Sequence, residues 1–401
     1  MPDIISGTTL VTSLNQSQLV LDMEGDVTKM YNDSFPFEAL TRTIGGLMKA
    51  DRMKHEWRED RLMGITAIVT ANAAASATSI AVNSPALMRR DMTIYCPATG
   101  EQFFADEDVG GTAVAGQIKV RRQGSASGTG IETAIPAGAS LLFLTESHYE
   151  GQAIPLSYST VEDARYTYLE QFDRSYDMTD IAKYERKYGA DEWDKQIMKI
   201  WIEEKRKLNL KLWTGKGFRE TTSSGNGARR HGLSGIFEQC TAREVNMAAI
   251  PSGVSVQTLG NLLRPTKTEL NLPQPPILLA GQNLWNGISA LPSGTIRITD
   301  SGAADITFGV TIQTIRTPFG DIKVSYDPTL SQEYGLADRG AMIQTAYIQQ
   351  LELTGLPLRM ELGKKNNTEA HIYDRALYTG TRGLVVKLPE VHRTIVGVQG
   401  N

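Results

Sequence analysis

The sequence predicts an α+β chain organised around one long helix, with a β-rich insertion before it and a compact α/β region after it. Three observations carry this. Residues 191–217, DEWDKQIMKIWIEEKRKLNLKLWTGKG, hold the strongest helix signal in the chain. Residues 56–150 break into short strand-like runs separated by turn clusters rich in glycine. From residue 245 to 345, strand and helix patterns alternate.

Residues 1–55 are polar with scattered apolar positions and a Gly45-Gly46 break, and read as an extended arm with one or two short turns. Such a segment buries too little apolar surface to offset the entropy of ordering it, so it is expected to order against neighbouring chains. Residues 56–150 contain the runs ATSIAV (77–82), MTIYC (92–96), QFFA (102–105), QIKVRR (117–122) and SLLFLTE (140–146). They show no helical period, and this module too is expected to make mainly intermolecular contacts. Residues 151–244 hold an aromatic–polar alternation at 165–178, a short helix after Thr179 ended by Gly189, and then the long helix at 191–213.

In that helix Trp193, Ile197, Ile200, Trp201, Leu208 and Leu212 recur at spacings of three and four and line one face. Asp191, Glu192 and Asp194 open it, where the helix dipole favours negative charge. Lys205, Arg206, Lys207 and Lys211 crowd the other end, and Gly215 and Gly217 stop it. The remaining faces are charged, so the helix is expected to pack one stripe on a sheet and present the rest to solvent or other subunits. Residues 218–235 form a glycine-rich basic loop. Residues 346–401 return as strands.

Composition narrows the function classes. A net charge of −4 argues against wholesale nucleic-acid binding. Cys96 and Cys240 lie far apart, without metal-type spacing, and read as reduced thiols. The N-terminus does not read as a signal peptide, and no run approaches the 18 apolar residues of a membrane span. His55-Glu56 opens like a zinc-protease helix, but Glu59 stands where the second histidine belongs. GLSGI around Ser234 lacks a nucleophile elbow's second glycine, and Gly215-Lys216 lacks the preceding glycine of a phosphate loop. His55, His148, His231, His371 and His392 are isolated in sequence, so neither metal nor cofactor is expected. Glu56, Glu59 and Asp60 suggest a salt-bridged strand edge rather than an acid–base pair.

The chain resembles the major capsid proteins of tailed bacteriophages with the Hong Kong 97 fold, in the subgroup with a β-rich insertion in the extended loop. The resemblance rests on HEWRED (55–60), GADEWDKQIMKIWIEEKRKLNLKLWTGKG, HGLSGIF (231–237), TPFGDIKVSYDPTL, and the run from TGLPLRMELGKK to RGLVVK. It implies an N-terminal arm (1–55), an extended loop (56–150), a peripheral domain with its spine helix (151–244), an axial domain (245–345) and return strands of the peripheral domain (346–401). It also implies a virion protein made in the host cytoplasm. Such a protein assembles with itself into hexamers and pentamers of an icosahedral or prolate head around double-stranded DNA. Scaffolding, portal and decoration proteins are the further partners. The chain lacks the long charged N-terminal segment of many relatives, which implies a separate scaffolding protein or none. Some relatives cross-link a loop lysine, and Lys119 is the only lysine in the inserted region. An encapsulin-type compartment shell is the alternative, and a β-rich polysaccharide-active enzyme, which would need a carboxylate pair in a cleft, is the more distant rival. The residues singled out are the stripe Trp193, Ile197, Ile200 and Trp201, and a basic loop with Lys216, Arg219, Arg229 and Arg230, read either as facing the lumen and its DNA or as an inter-subunit or solvated loop.

Overall fold

The computed structural model describes residues 35–60, 64–107, 116–125, 129–147, 150, 161–179, 182, 192–221, 229–250, 253–268, 275–291, 296–297, 306–307, 310–311, 313–363 and 373–400. Two units emerge. One holds the chain up to Trp57 and again from Arg165, and the other is Arg58–Ala164. Among the described residues the α-helices of the first unit are α1 (Pro36–Thr43), α2 (Glu192–Thr214), α3 (Ile236–Gln239), α4 (Val256–Thr268) and α5 (Gln282–Ser289).

Helix α1 corrects the reading of the arm. Pro36 sits in its first turn, where a missing N–H costs nothing. Phe37 and Leu40 are buried in the unit's main core, so this stretch orders on its own chain. Gln350 fixes it further by donating through Nε2 to Glu38 O at 3.1 Å and to Thr41 Oγ1 at 2.7 Å. Gly45 follows because a Cβ there would lie 2.1 Å from the carbonyl oxygen of Ile348. Residues 1–34 lie outside the described residues, as does the short helix read after Thr179 apart from Ala182.

Helix α2 packs on a five-stranded sheet. Its order is Leu47–Ala50, Ile348–Leu353, Tyr373–Val386, Glu170–Thr179, with Arg359–Leu362 also paired to Tyr373–Val386. Phe172, Tyr378, Leu384 and Val386 from the sheet meet Ile200, Leu208, Leu212 and Trp213 from the helix in one core. The 165–178 alternation resolves into two strands, Asp163–Tyr168 and Glu170–Thr179, parted at the buried Leu169.

The α/β region forms a seven-stranded sheet in the order Glu244–Asn246, Arg393–Val396, Gly340–Ile343, Ile277–Ala280, Gly320–Tyr326, Gln313–Thr317, Ile296–Arg297. Ile277–Ala280 is buried at every position, as its continuous apolar run requires. Helices α4 and α5 cover it through Leu259, Leu262, Leu263, Leu284 and Ile288. Pro265 sits inside α4 without splitting it. The sheet corrects the assignment of the C-terminus. Arg393–Val396 joins this sheet, not the five-stranded one, because its backbone pairs Gly340–Met342 on one side and Glu244–Asn246 on the other.

The second unit is a six-stranded antiparallel sheet in the order Thr66–Ile68, Ser140–Glu146, Met92–Cys96, Glu101–Ala105, Gln117–Arg122, Ser79–Ala81. Its ends meet through the bridge Val69–Val82, with Thr70 N donating to Ala81 O at 2.9 Å and Asn83 N to Ile68 O at 3.0 Å. The sheet therefore closes into a barrel. Ile80, Ile94, Phe103, Ile118, Val120, Ile131, Ile135 and Leu141 fill it. Closure gives the module a core of its own, because alternate residues of every strand point into one shared interior.

Candidate functional site

The spine helix runs unbroken from Glu192 to Thr214, roughly 34 Å along its axis. The predicted stripe is placed on the sheet with unequal burial. Trp193 and Ile200 are buried, while Ile197 and Trp201 are half-buried. The Trp193 ring lies 5.6 Å from Tyr176, and the Trp201 ring 5.5 Å edge-on from Tyr378. The charged faces are less free than the sequence suggests. Arg174 on the facing strand pairs with Glu203 and with Glu204, the latter at 3.3 Å; Lys207 pairs with Glu204 at 2.7 Å and Lys211 with Glu170 at 3.2 Å.

The C-terminal end of the spine carries a buried polar cluster that sequence reasoning missed. Trp213 is fully buried, 4.3 Å ring to ring from Phe37 and 5.2 Å from Phe237. Its Nε1 donates to Asp327 Oδ2 at 2.9 Å. Thr329 N donates to Asp327 Oδ1 at 2.9 Å, and the Thr329 hydroxyl bonds the same oxygen. Asn209 donates to Thr329 Oγ1 and accepts from Glu38 N at 2.9 Å. Three chain segments are thus locked at one point. Burial pushes the Asp327 carboxyl above the usual carboxylate range, against the opposing pull of its bonds from Thr329 and Trp213 and of nearby Asn209. The only sequence cue was the position of Trp213 beside Leu212 before the glycine stop.

Past that stop lies the basic loop. Just past the helix, residue 215 has to be glycine, because a Cβ there would sit 2.4 Å from the Leu233 carbonyl oxygen. The described part of the loop is a two-stranded hairpin, Phe218–Thr221 with Arg229–Gly232, which pairs Arg219 with His231, Glu220 with Arg230, and Thr221 with Arg229. Lys216, Arg219, Arg229 and Arg230 are all exposed. Among the described residues none of the four forms an ion pair. Arg230 lies 5.8 Å over the Phe218 ring. Burial, and then the charges of Arg219 and Arg229, hold the His231 imidazole below its usual range. Against these cations the hairpin carries one carboxylate, Glu220.

The other chemical candidates do not converge. Glu56 pairs with Lys54, Glu59 is buried and Asp60 is exposed. Glu56 and Glu59 are three residues apart on one strand, which turns them to opposite faces. Lys119 pairs with Glu107. His392 is buried and its Nδ1 accepts from Gln344 N at 3.2 Å. Cys96 and Cys240 are free and buried, and burial pushes the Cys240 thiol up to about 12. Among the described residues no group of three or more His, Cys, Asp or Glu side chains is placed to hold a metal. No helix among them is long and apolar enough to cross a membrane.

Residues 5–399 match the SU10 major capsid protein family. The chain belongs to this family of phage capsid proteins. It is a structural component of the virion shell that associates with copies of itself, and not an enzyme. No curated protein matches it. Among solved structures it is similar to the capsid protein of an empty GTA particle, at 8% identity and a TM-score of 0.49, over 97% of this chain and 98% of that one. It is also similar to the capsid protein of cyanophage P-SCSP1u, at 9% identity and a TM-score of 0.45, over 98% and 99%. Similarity to the encapsulin SrpI of Synechococcus elongatus reaches 13% identity and a TM-score of 0.39, over 60% of this chain and 78% of that one.

Proposed function

We propose that the chain forms the hexameric and pentameric capsomers of a phage head, and that the hairpin Lys216–Arg230 faces the packaged double-stranded DNA. The observation that carries the second half is four exposed cations, three on one short hairpin and Lys216 just before it, unpaired among the described residues, in a chain whose net charge is negative. Such a surface suits sequence-independent, salt-dependent contact with phosphates, since it presents charge without a means of reading bases. The carboxylate-rich remainder of the chain would oppose DNA elsewhere on the molecule. Synthesis in the host cytoplasm, and cooperation with scaffolding, portal and decoration proteins, belong to the same proposal.

Charge reversal at Arg229 and Arg230 tests it. Shells of the R229E/R230E variant should assemble with normal size and yield but package or retain less DNA, measured as the ratio of full to empty heads. Failure of assembly would place these arginines in a subunit contact instead. Normal packaging would remove their role toward DNA.

A further inference from the structure

The first 34 residues have a charge opposite to that of the hairpin. They contain Asp3, Asp22, Glu24, Asp26 and Asp33 against the single lysine Lys29. Four of the five carboxylates fall between residues 22 and 33, next to the point where the described chain begins at Phe35. That point is close to the end of the spine helix. Phe37 packs 4.3 Å from Trp213, and Glu38 N bonds Asn209, so the first turn of α1 sits on the last two turns of α2. From Trp213 the chain needs five residues, about 18 Å at most, to reach Phe218 at the start of the hairpin. From Phe35 back to Asp22 it can span about 45 Å. The acidic stretch is thus tethered within reach of Lys216, Arg219, Arg229 and Arg230.

We propose that in the unassembled subunit the acidic segment 22–33 docks on its own basic hairpin and shields it from nucleic acid. The docking itself stands apart from the reading of the hairpin as DNA-facing; only the shielding consequence rests on that reading. Surface ion pairs are individually weak, but tethering raises the local concentration of the segment to about the millimolar range, which is enough for several weak contacts together. Such contacts are screened within about 8 Å at physiological salt. A DNA duplex carries one negative charge per roughly 1.7 Å of axis, far denser than this segment. Concentrated DNA inside a shell would therefore displace the segment, whereas dilute nucleic acid around a free subunit would not.

The test uses the full chain, unassembled, with Asp22→Asn, Glu24→Gln, Asp26→Asn and Asp33→Asn combined. Circular dichroism and size exclusion check that the fold is unchanged. Two readouts separate docking from DNA binding. In the first, a fluorescent peptide of residues 1–34 is added to the neutralised chain and followed by anisotropy at about 50 mM salt. It should bind in a salt-sensitive manner, and binding should disappear when R229E/R230E is added. No binding, or binding indifferent to R229E/R230E, overturns the proposal whatever DNA does. In the second, a non-specific duplex should bind the neutralised chain about tenfold more tightly than the wild type at the same salt. Equal DNA affinity with R229E/R230E still lowering it overturns the shielding and leaves the DNA-facing hairpin standing. Peptide binding with no DNA affinity in any variant supports the docking and removes the DNA reading. A wild-type DNA affinity that changes with subunit concentration marks the segment of a second copy as the occupant and overturns docking in cis.

Discussion

Asp327 accepts bonds from Trp213 and Thr329 in a site from which water is excluded, so each partner is needed by the others. Trp213→Phe preserves most of the packing against Phe37 and Phe237 but leaves a buried carboxylate oxygen without its indole donor. A loss of about 2–3 kcal/mol in urea unfolding is expected; a loss under ~0.5 kcal/mol would mean that the carboxylate finds another donor. The pH dependence has a definite sign. Because the folded-state pKa of Asp327 is raised, the folded form holds its proton at a pH where the unfolded chain has released it. Its contribution favours folding at low pH and is lost as pH rises from about 3.9, the unfolded value, through the raised folded value. Asp327→Asn removes this dependence. The difference in unfolding free energy between wild type and variant, measured from pH 3 upward, should change across that window and be flat above it. Trp201 differs from Trp213 in being half-buried against Tyr378. Trp201→Ala should therefore cost about 1–2 kcal/mol, below the ~3–5 of a core tryptophan.

The inserted barrel was readable as strands and unreadable as a body. MTIYC, QIKVRR and SLLFLTE each became a strand with the same bounds, because alternation and flanking turns report local conformation directly. The closure joins Val82, the last residue of ATSIAV, to Val69, which lies outside every run, and no local pattern encodes that pairing. Helix α1 escaped for a related reason. Eight residues give barely two turns of periodicity, and the Gly45-Gly46 pair beyond them reads as a break. With a core of its own, residues 58–164 expressed alone should unfold cooperatively and resist limited proteolysis. Rapid general cleavage, or gradual non-cooperative melting, would show that the barrel depends on the rest of the chain. On its outer face, opposite in parity to the core residues Ile118, Val120 and Phe103, the buried Arg121 bonds Asp91 at 2.8 Å, lies 3.4 Å from Asp106 and sits 4.9 Å over Phe104. Arg121→Ala should cost about 3–5 kcal/mol, since it strands a buried carboxylate.

At the scale of the whole molecule, the spine helix and the α/β region were legible because long periodic and alternating patterns average over many residues. The basic hairpin was legible as composition, but its exposure and its lack of carboxylate partners among the described residues needed coordinates. A net charge of −4 by itself says nothing of it, because a sum over the chain conceals opposite charges held on different segments. The strands that carry the chain out toward the barrel and back, Lys54–Glu59 and Asp163–Tyr168, pair with each other. The barrel is thereby spliced in at two adjacent points, much like a cassette plugged into a socket. A foreign domain whose termini lie side by side would fit the same socket. Sequence can thus be exchanged wholesale at this port, by evolution or by design, while the core that folds the rest of the subunit is left untouched.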